Sequence, residues 1–129
     1  MNTLQLSLSA KLLDNSCHLK ELEQFMCLNG VKEGQRFKLI TCTMEGLNNA
    51  LMHGGDKLEN IILMAHCSQD KVMIDLLNQD DYQPLPEVND YPNPNDEGGR
   101  GLWIMLNWMD QVTYEPSVLG THLRMCLLR

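Results

Sequence analysis

Glu45, Asn49 and His53 recur at four-residue steps in E-G-L-N-N-A-L-M-H-G (45–54), and G-R-G-L (99–102) follows after a polar, proline-containing stretch. If 45–54 is helical, steps of four set a carboxylate, an amide and an imidazole nearly in line on one face. Such a polar stripe on a helix otherwise rich in Leu and Met calls for an explanation. The glycines at 99–101 supply one, because glycines leading into a helix leave backbone N–H groups free to hold phosphates. The chemistry the two segments imply is that of a magnesium-nucleotide site.

The elements that must position these residues follow from periodicity. T-L-Q-L-S-L-S (3–9) alternates apolar and polar residues and predicts a strand with one buried face. Asp14, Asn15 and Ser16 offer N-caps, and Leu19, Leu22, Phe25 and Met26 recur at helical spacing until Asn29-Gly30. A longer helix is expected over about 33–53, with Phe37, Ile40, Met44, Leu47 and Leu51 as its apolar side and Gly54-Gly55 as its stop. N-I-I-L-M-A-H-C (60–67) and K-V-M-I-D-L-L-N (71–78), separated by S-Q-D, read as two antiparallel strands in the middle of a sheet. From Gln79 to Gly98 there is no usable period, and Pro84, Pro86, Pro92 and Pro94 exclude a regular element. A loop of that length inside a small domain is more often a functional lid than a passive connection. A helix over about 99–109, a strand at 111–115, a turn from Pro116 to Gly120 and a strand at 121–128 complete the chain. Met105 and Met109 are expected in the core, with Trp103 and Trp108 partly buried.

The order β-α-α-β-β-lid-α-β-β predicts one α+β domain over 1–129. It is expected as a two-layer α/β sandwich, a mixed, mostly antiparallel sheet with three helices on one face. At 129 residues and 14.7 kDa one core suffices. The net charge of −7 and pI near 4.9 argue against nucleic acid, whose phosphates would meet a repulsive field. Asp80, Asp81, Glu87, Asp90, Asp96 and Glu97 concentrate in the lid with no compensating base. Five cysteines without C-x-x-C spacing read as reduced thiols of a cytoplasmic protein. The expectation is a soluble chain, since no basic-then-apolar leader opens it and no apolar run approaches the roughly 18 residues of a membrane span. The adjacent pairs Cys17-His18 and His66-Cys67 cannot readily ligate one zinc ion from a regular helix or strand.

With these motifs in place the chain resembles the GHKL (histidine-kinase-like, or Bergerat) ATPase fold and, within it, the small RsbW-like anti-sigma-factor serine kinases. The resemblance covers essentially the whole chain. It rests on E-x-x-x-N-A-x-x-H-G at 45–54, on G-x-G-L-x-I-M-x-x-x-M-D-x-V at 99–112 and on Gly120-Thr121 in the final hairpin. It implies ATP and magnesium as cofactors. Glu45 matches the catalytic glutamate, a general base toward the hydroxyl that attacks the γ-phosphate. Asn49 matches the magnesium-coordinating asparagine. Gly99 and Gly101, followed by Leu102, match the glycines where phosphates meet a helix start, and Arg100 between them could add a charge-assisted contact. Thr121 matches a threonine near the nucleotide. His53 has two readings, a nucleotide-site residue or a partner of its own helix C-terminus.

One site departs from the family pattern. Where the family has D-x-G at the end of the second central strand, for the adenine amino group, this chain has Asn78-Gln79-Asp80. An asparagine carbonyl accepts the same bond with about a kcal/mol less than a carboxylate, and Asp80 adds bulk and charge where glycine is expected. Asp75 matches instead only if the register shifts by three residues, inside the strand. The departure makes weak or absent ATP binding an open alternative. The resemblance implies an anti-sigma factor that phosphorylates an antagonist protein with Mg-ATP, acting as a homodimer. Its alternatives are a pseudo-kinase adaptor that binds a sigma factor or antagonist without nucleotide, and a detached histidine-kinase catalytic domain.

Overall fold

The computed structural model describes residues 1–9, 17–54, 61–78, 99–118 and 120–129. Within them run β1 (Asn2–Leu8), α1 (Cys17–Leu28), α2 (Glu33–Gly54), β2 (Ile61–Cys67), β3 (Lys71–Asn78), α3 (Gly99–Trp108), β4 (Gln111–Pro116) and β5 (Thr121–Leu128). The expected caps at 14–16 and the expected lid at 79–98, Asp80 included, lie outside the described residues.

α1 stops where its sequence says it should. Gly30 adopts φ 73°, a left-handed conformation that suits glycine. Its N–H donates to Cys27 O at 3.1 Å while Val31 N–H donates to Met26 O at 3.0 Å, which together satisfy the carbonyls of the last turn as in a Schellman cap. The cap also returns apolar Val31 to the core, where it is buried beside Met26.

The sheet order is β1-β2-β3-β5-β4, and every neighbouring pair is antiparallel. This corrects the expectation of a mixed sheet. β3 and β4, joined across α3, do run in the same direction, as a strand-helix-strand unit requires. β5 folds back between them and pairs with both, so the parallel relation exists without a parallel ladder.

One sheet face carries the helices, with α1 over β1, α2 over β3 and β5, and α3 beside α2 over β4. The core lies between the layers and includes Leu22, Met26, Leu39, Ile61, Leu63, Ile74, Met105 and Met125. Each such side chain contributes about 1.5–3 kcal/mol on burial. Along α2 the buried stripe is Leu39, Cys42, Thr43, Leu47 and Ala50. Of the expected apolar side of this helix, Leu47 is buried and Ile40 packs against the core, while two residues need correction. Phe37 is 64% exposed and Met44 44% exposed, and Phe37 packs its ring against Trp108 of α3 with centroids 6.0 Å apart. The sheet takes the face bearing the small residues because they let the helix come close. Leu51 has no described side chain. As expected, Met105 and Met109 are buried and the two tryptophans are partly so.

Candidate functional site

The site begins with a glycine that the sequence reading passes over. Gly46 lies in the interior of α2, where glycine costs about 1 kcal/mol relative to alanine. A Cβ added there would stand 2.8 Å from Leu76 Cδ1 and 3.1 Å from Leu123 Cδ2. Leu76 and Leu123 are register partners on β3 and β5, so Gly46 rests on the central step of the sheet. A glycine inside a strongly helical pattern, next to a carboxylate, was the available signal.

That close approach orients the neighbouring Glu45. Its side chain lies against Gly101 in the first turn of α3: a Cβ added to Gly101 would overlap Glu45 Oε2 and stand 3.0 Å from Cδ and 3.3 Å from Cβ. The two segments singled out in the sequence are thus in direct contact. Gly99 and Arg100 are the first two residues of α3, and Gly101 and Leu102 follow as buried residues. The first N–H groups of α3 have no acceptor within the helix, and the helix dipole adds partial positive charge at that end. A carboxylate and a set of backbone donors therefore share one corner. Asn49 stands one turn beyond Glu45 and is half-buried. His53 falls in the last turn of α2, and its side chain lies outside what is described. Cys42, one turn before Glu45, is fully buried; burial, assisted by the Glu45 charge and opposed by Lys38, pushes its thiol up to about 11. It stays protonated and is no nucleophile.

The helix-facing side of β3 and β5 forms a ladder of register pairs, Val72–Leu127, Ile74–Met125, Leu76–Leu123 and Asn78–Thr121. The first three are apolar, and the fourth is polar, with Thr121 at 1% exposure. Asn78 and Thr121 thus lie one step from the pair beneath Gly46. Asp75, the alternative match, has the opposite parity and sits on the outer face of the sheet. There it is fully buried and accepts hydrogen bonds from Arg124 Nε at 2.7 Å, Arg124 Nη2 at 3.2 Å, His122 Nε2 at 2.7 Å and His66 Nε2 at 3.0 Å. His66 Nδ1 is in turn 3.1 Å from Thr3 Oγ1. Burial alone would raise the Asp75 carboxyl, but the hydrogen bonds and charges of Arg124 and His122 outweigh it and hold it below the usual carboxylate range. Asp75 is a structural tie between strands and faces away from the helices.

The structure therefore brings together Glu45, Gly101 and, through Gly46, the neighbourhood of Asn78 and Thr121. The residues fit a triphosphate. Glu45 occupies the space that a side chain at position 101 would need, and the first N–H groups of α3 open beside that carboxylate without acceptors in the helix. Asn49 offers an amide oxygen of the kind magnesium accepts together with phosphate oxygens and water. Among the described residues no helix is long and apolar enough to cross a membrane. No curated protein matches the chain. The sequence profile of the Histidine kinase-like ATPase domain matches it over residues 12–127.

Proposed function

Since the chain belongs to the Histidine kinase-like ATPase domain family, we propose that it is an anti-sigma regulatory factor that phosphorylates a serine on a small antagonist protein in a partner-switching module. The observation that carries the chemistry is the contact of Glu45 with Gly101, which sets a carboxylate beside the donor-rich start of α3. Magnesium-bound ATP supplies the phosphoryl group and the charge neutralisation for its transfer. With Mg-ATP bound, Glu45 would take the proton of the serine hydroxyl as its oxygen bonds to the γ-phosphorus and the bond to the bridging β-phosphate oxygen breaks, with ADP as the leaving group. Asn49 would lend an oxygen to the metal. The backbone N–H groups at Gly99 to Gly101 would hold the phosphate oxygens, and Arg100 would supply a positive charge to them. The partners in this reading are the antagonist and a sigma factor, and the acting form is a homodimer.

A second reading keeps the partners and drops the chemistry. It draws on the end of β3, where Asn78 stands on the helix-facing side while the carboxylate of Asp75 is committed to the outer face. Calorimetric titration with Mg-ATP separates the two. Saturable binding that Asn49→Ala abolishes supports the kinase, and no binding at millimolar ATP leaves the adaptor. In the kinase reading Glu45→Ala abolishes phosphoryl transfer and leaves ATP binding largely intact, as expected of a base needed only in the chemical step. Equal loss of both would remove Glu45 from that role.

A further inference from the structure

Building on the reading that the chain acts as a homodimer, we infer that a second copy docks on the solvent-facing side of α1 and α2, related by a two-fold axis that crosses both helices. This side carries apolar residues where a surface helix is ordinarily polar. Leu19, Lys20, Glu23, Gln24 and Cys27 of α1 and Ile40 of α2 line an open groove of about 430 Å³. About one turn to either side of Ile40, Phe37 and Met44 stand out from α2, both exposed. Phe37 rests against the Trp108 ring of α3, so it is held in place before anything binds and loses little freedom on docking.

Charge and symmetry select the occupant. The chain carries a net charge of −7, so two copies repel unless they meet where that excess is absent. Residues 17–44, which hold α1 and the first three turns of α2, carry Lys20, Lys32, Arg36 and Lys38 against Glu21, Glu23 and Glu33. Four bases against three acids leave this face free of the repulsion that the rest of the chain imposes. A two-fold interface must also be complementary to itself. Ile40 lines the groove together with Lys20 and Glu23, so these stretches of the two helices lie side by side. An axis crossing α1 between Glu21 and Leu22, and α2 between Ile40 and Thr41, then sets Lys20 of each copy opposite Glu23 of the other and Phe37 opposite Met44. Glu23 is 55% exposed and only 3.7 Å from Arg36 Nε, so its carboxylate keeps acceptor capacity for a second cation. An aromatic ring on a thioether is a favourable contact. Ile40 and the groove fall on the axis, where their counterparts exclude water from them.

Sedimentation equilibrium of the full chain tests this, with circular dichroism to check that each variant is folded. Phe37→Asp should raise the dimer dissociation constant by at least about thirtyfold, the scale of an interface hot spot. Lys20→Glu should raise it by about tenfold, and the double variant Lys20→Glu/Glu23→Lys should return it to within about threefold of wild type, because the exchange restores both reciprocal pairs. Cys27, exposed in the single chain, gives a readout that needs no variant: its alkylation by iodoacetamide should slow as chain concentration rises through the dissociation constant. A dimer that Phe37→Asp leaves unchanged, a double variant no tighter than Lys20→Glu, or alkylation of Cys27 that ignores concentration overturns this surface and leaves the homodimer standing. A chain still monomeric at about 100 μM removes the surface and the homodimer together. Neither result touches the phosphoryl chemistry, which rests on Glu45 and Gly101.

Discussion

Gly101 shows how a residue without a side chain can govern one that has chemistry to do. Its Cα is the surface on which the Glu45 carboxylate lies, so a methyl group there must displace that carboxylate. Gly101→Ala is expected to lower phosphoryl transfer by about 100-fold, the usual consequence of moving a reacting group by about an ångström. The melting temperature should change little, because alanine favours a helix over glycine by about 1 kcal/mol and offsets part of the strain. A kinase assay alongside thermal unfolding checks both halves, and an active variant would detach the glycine from the Glu45 geometry. Residues of this kind were legible from sequence as motif positions. Their contact was not, since nothing in residue types shows that a carboxylate in α2 rests on a glycine in α3.

At the scale of elements, α2 decides the site by how closely it lies on the sheet. Gly46→Val would place branched carbon against buried Leu76 and Leu123, and about 1–3 kcal/mol of stability should be lost. Urea unfolding measures this, and an unchanged midpoint would mean that α2 can lift without cost. The sheet has its own tie on the opposite face. Because the folded Asp75 carboxyl is held below its ordinary value of 3.8, the stability it provides is fully present above that value and is lost as pH falls below it. Asp75→Asn should therefore unfold about 1–3 kcal/mol more easily at neutral pH, and its acid limb below about pH 4 should be flatter than that of the wild type. Unfolding free energies at pH 7, 4 and 3 test this; parallel curves would exclude Asp75 as the acid-sensitive group. The span of every element was readable from period, cap and turn residues, as at Asn29-Gly30 and Ser68–Asp70. Which residues of α2 meet the sheet was misread only in part, since Leu47 is buried and Ile40 packs against the core as expected. Phe37 and Met44 look like core by hydropathy, whereas proximity to the sheet favours Cys42, Gly46 and Ala50.

For the molecule as a whole, His18 links stability to pH near neutrality. It is 7% exposed in the α1–sheet layer, its Nδ1 has no partner among the described residues, and burial, partly opposed by Glu21, lowers its pKa from the ordinary 6.5. The unfolded chain then binds a proton that the folded chain resists, so stability is full above pH 6.5 and declines as pH falls through and below it. His18→Leu should flatten that decline between about pH 7 and 5, as read by thermal unfolding across the range; an unaltered slope would assign the dependence elsewhere. By itself the sequence determined the order and limits of the elements, the two-layer architecture and the pairing of an acidic-amide helix motif with a glycine motif. These are local properties, written in hydrophobic period and in the few residues that tolerate turns and caps. Only the tertiary structure decided that β5 lies between β3 and β4, that Gly46 brings α2 down onto the sheet, that Glu45 meets Gly101, and that Asn78 and Asp75 face opposite ways. Those are outcomes of packing between segments distant in sequence, where strand parity and side-chain volume act jointly and no single stretch of residues holds the answer.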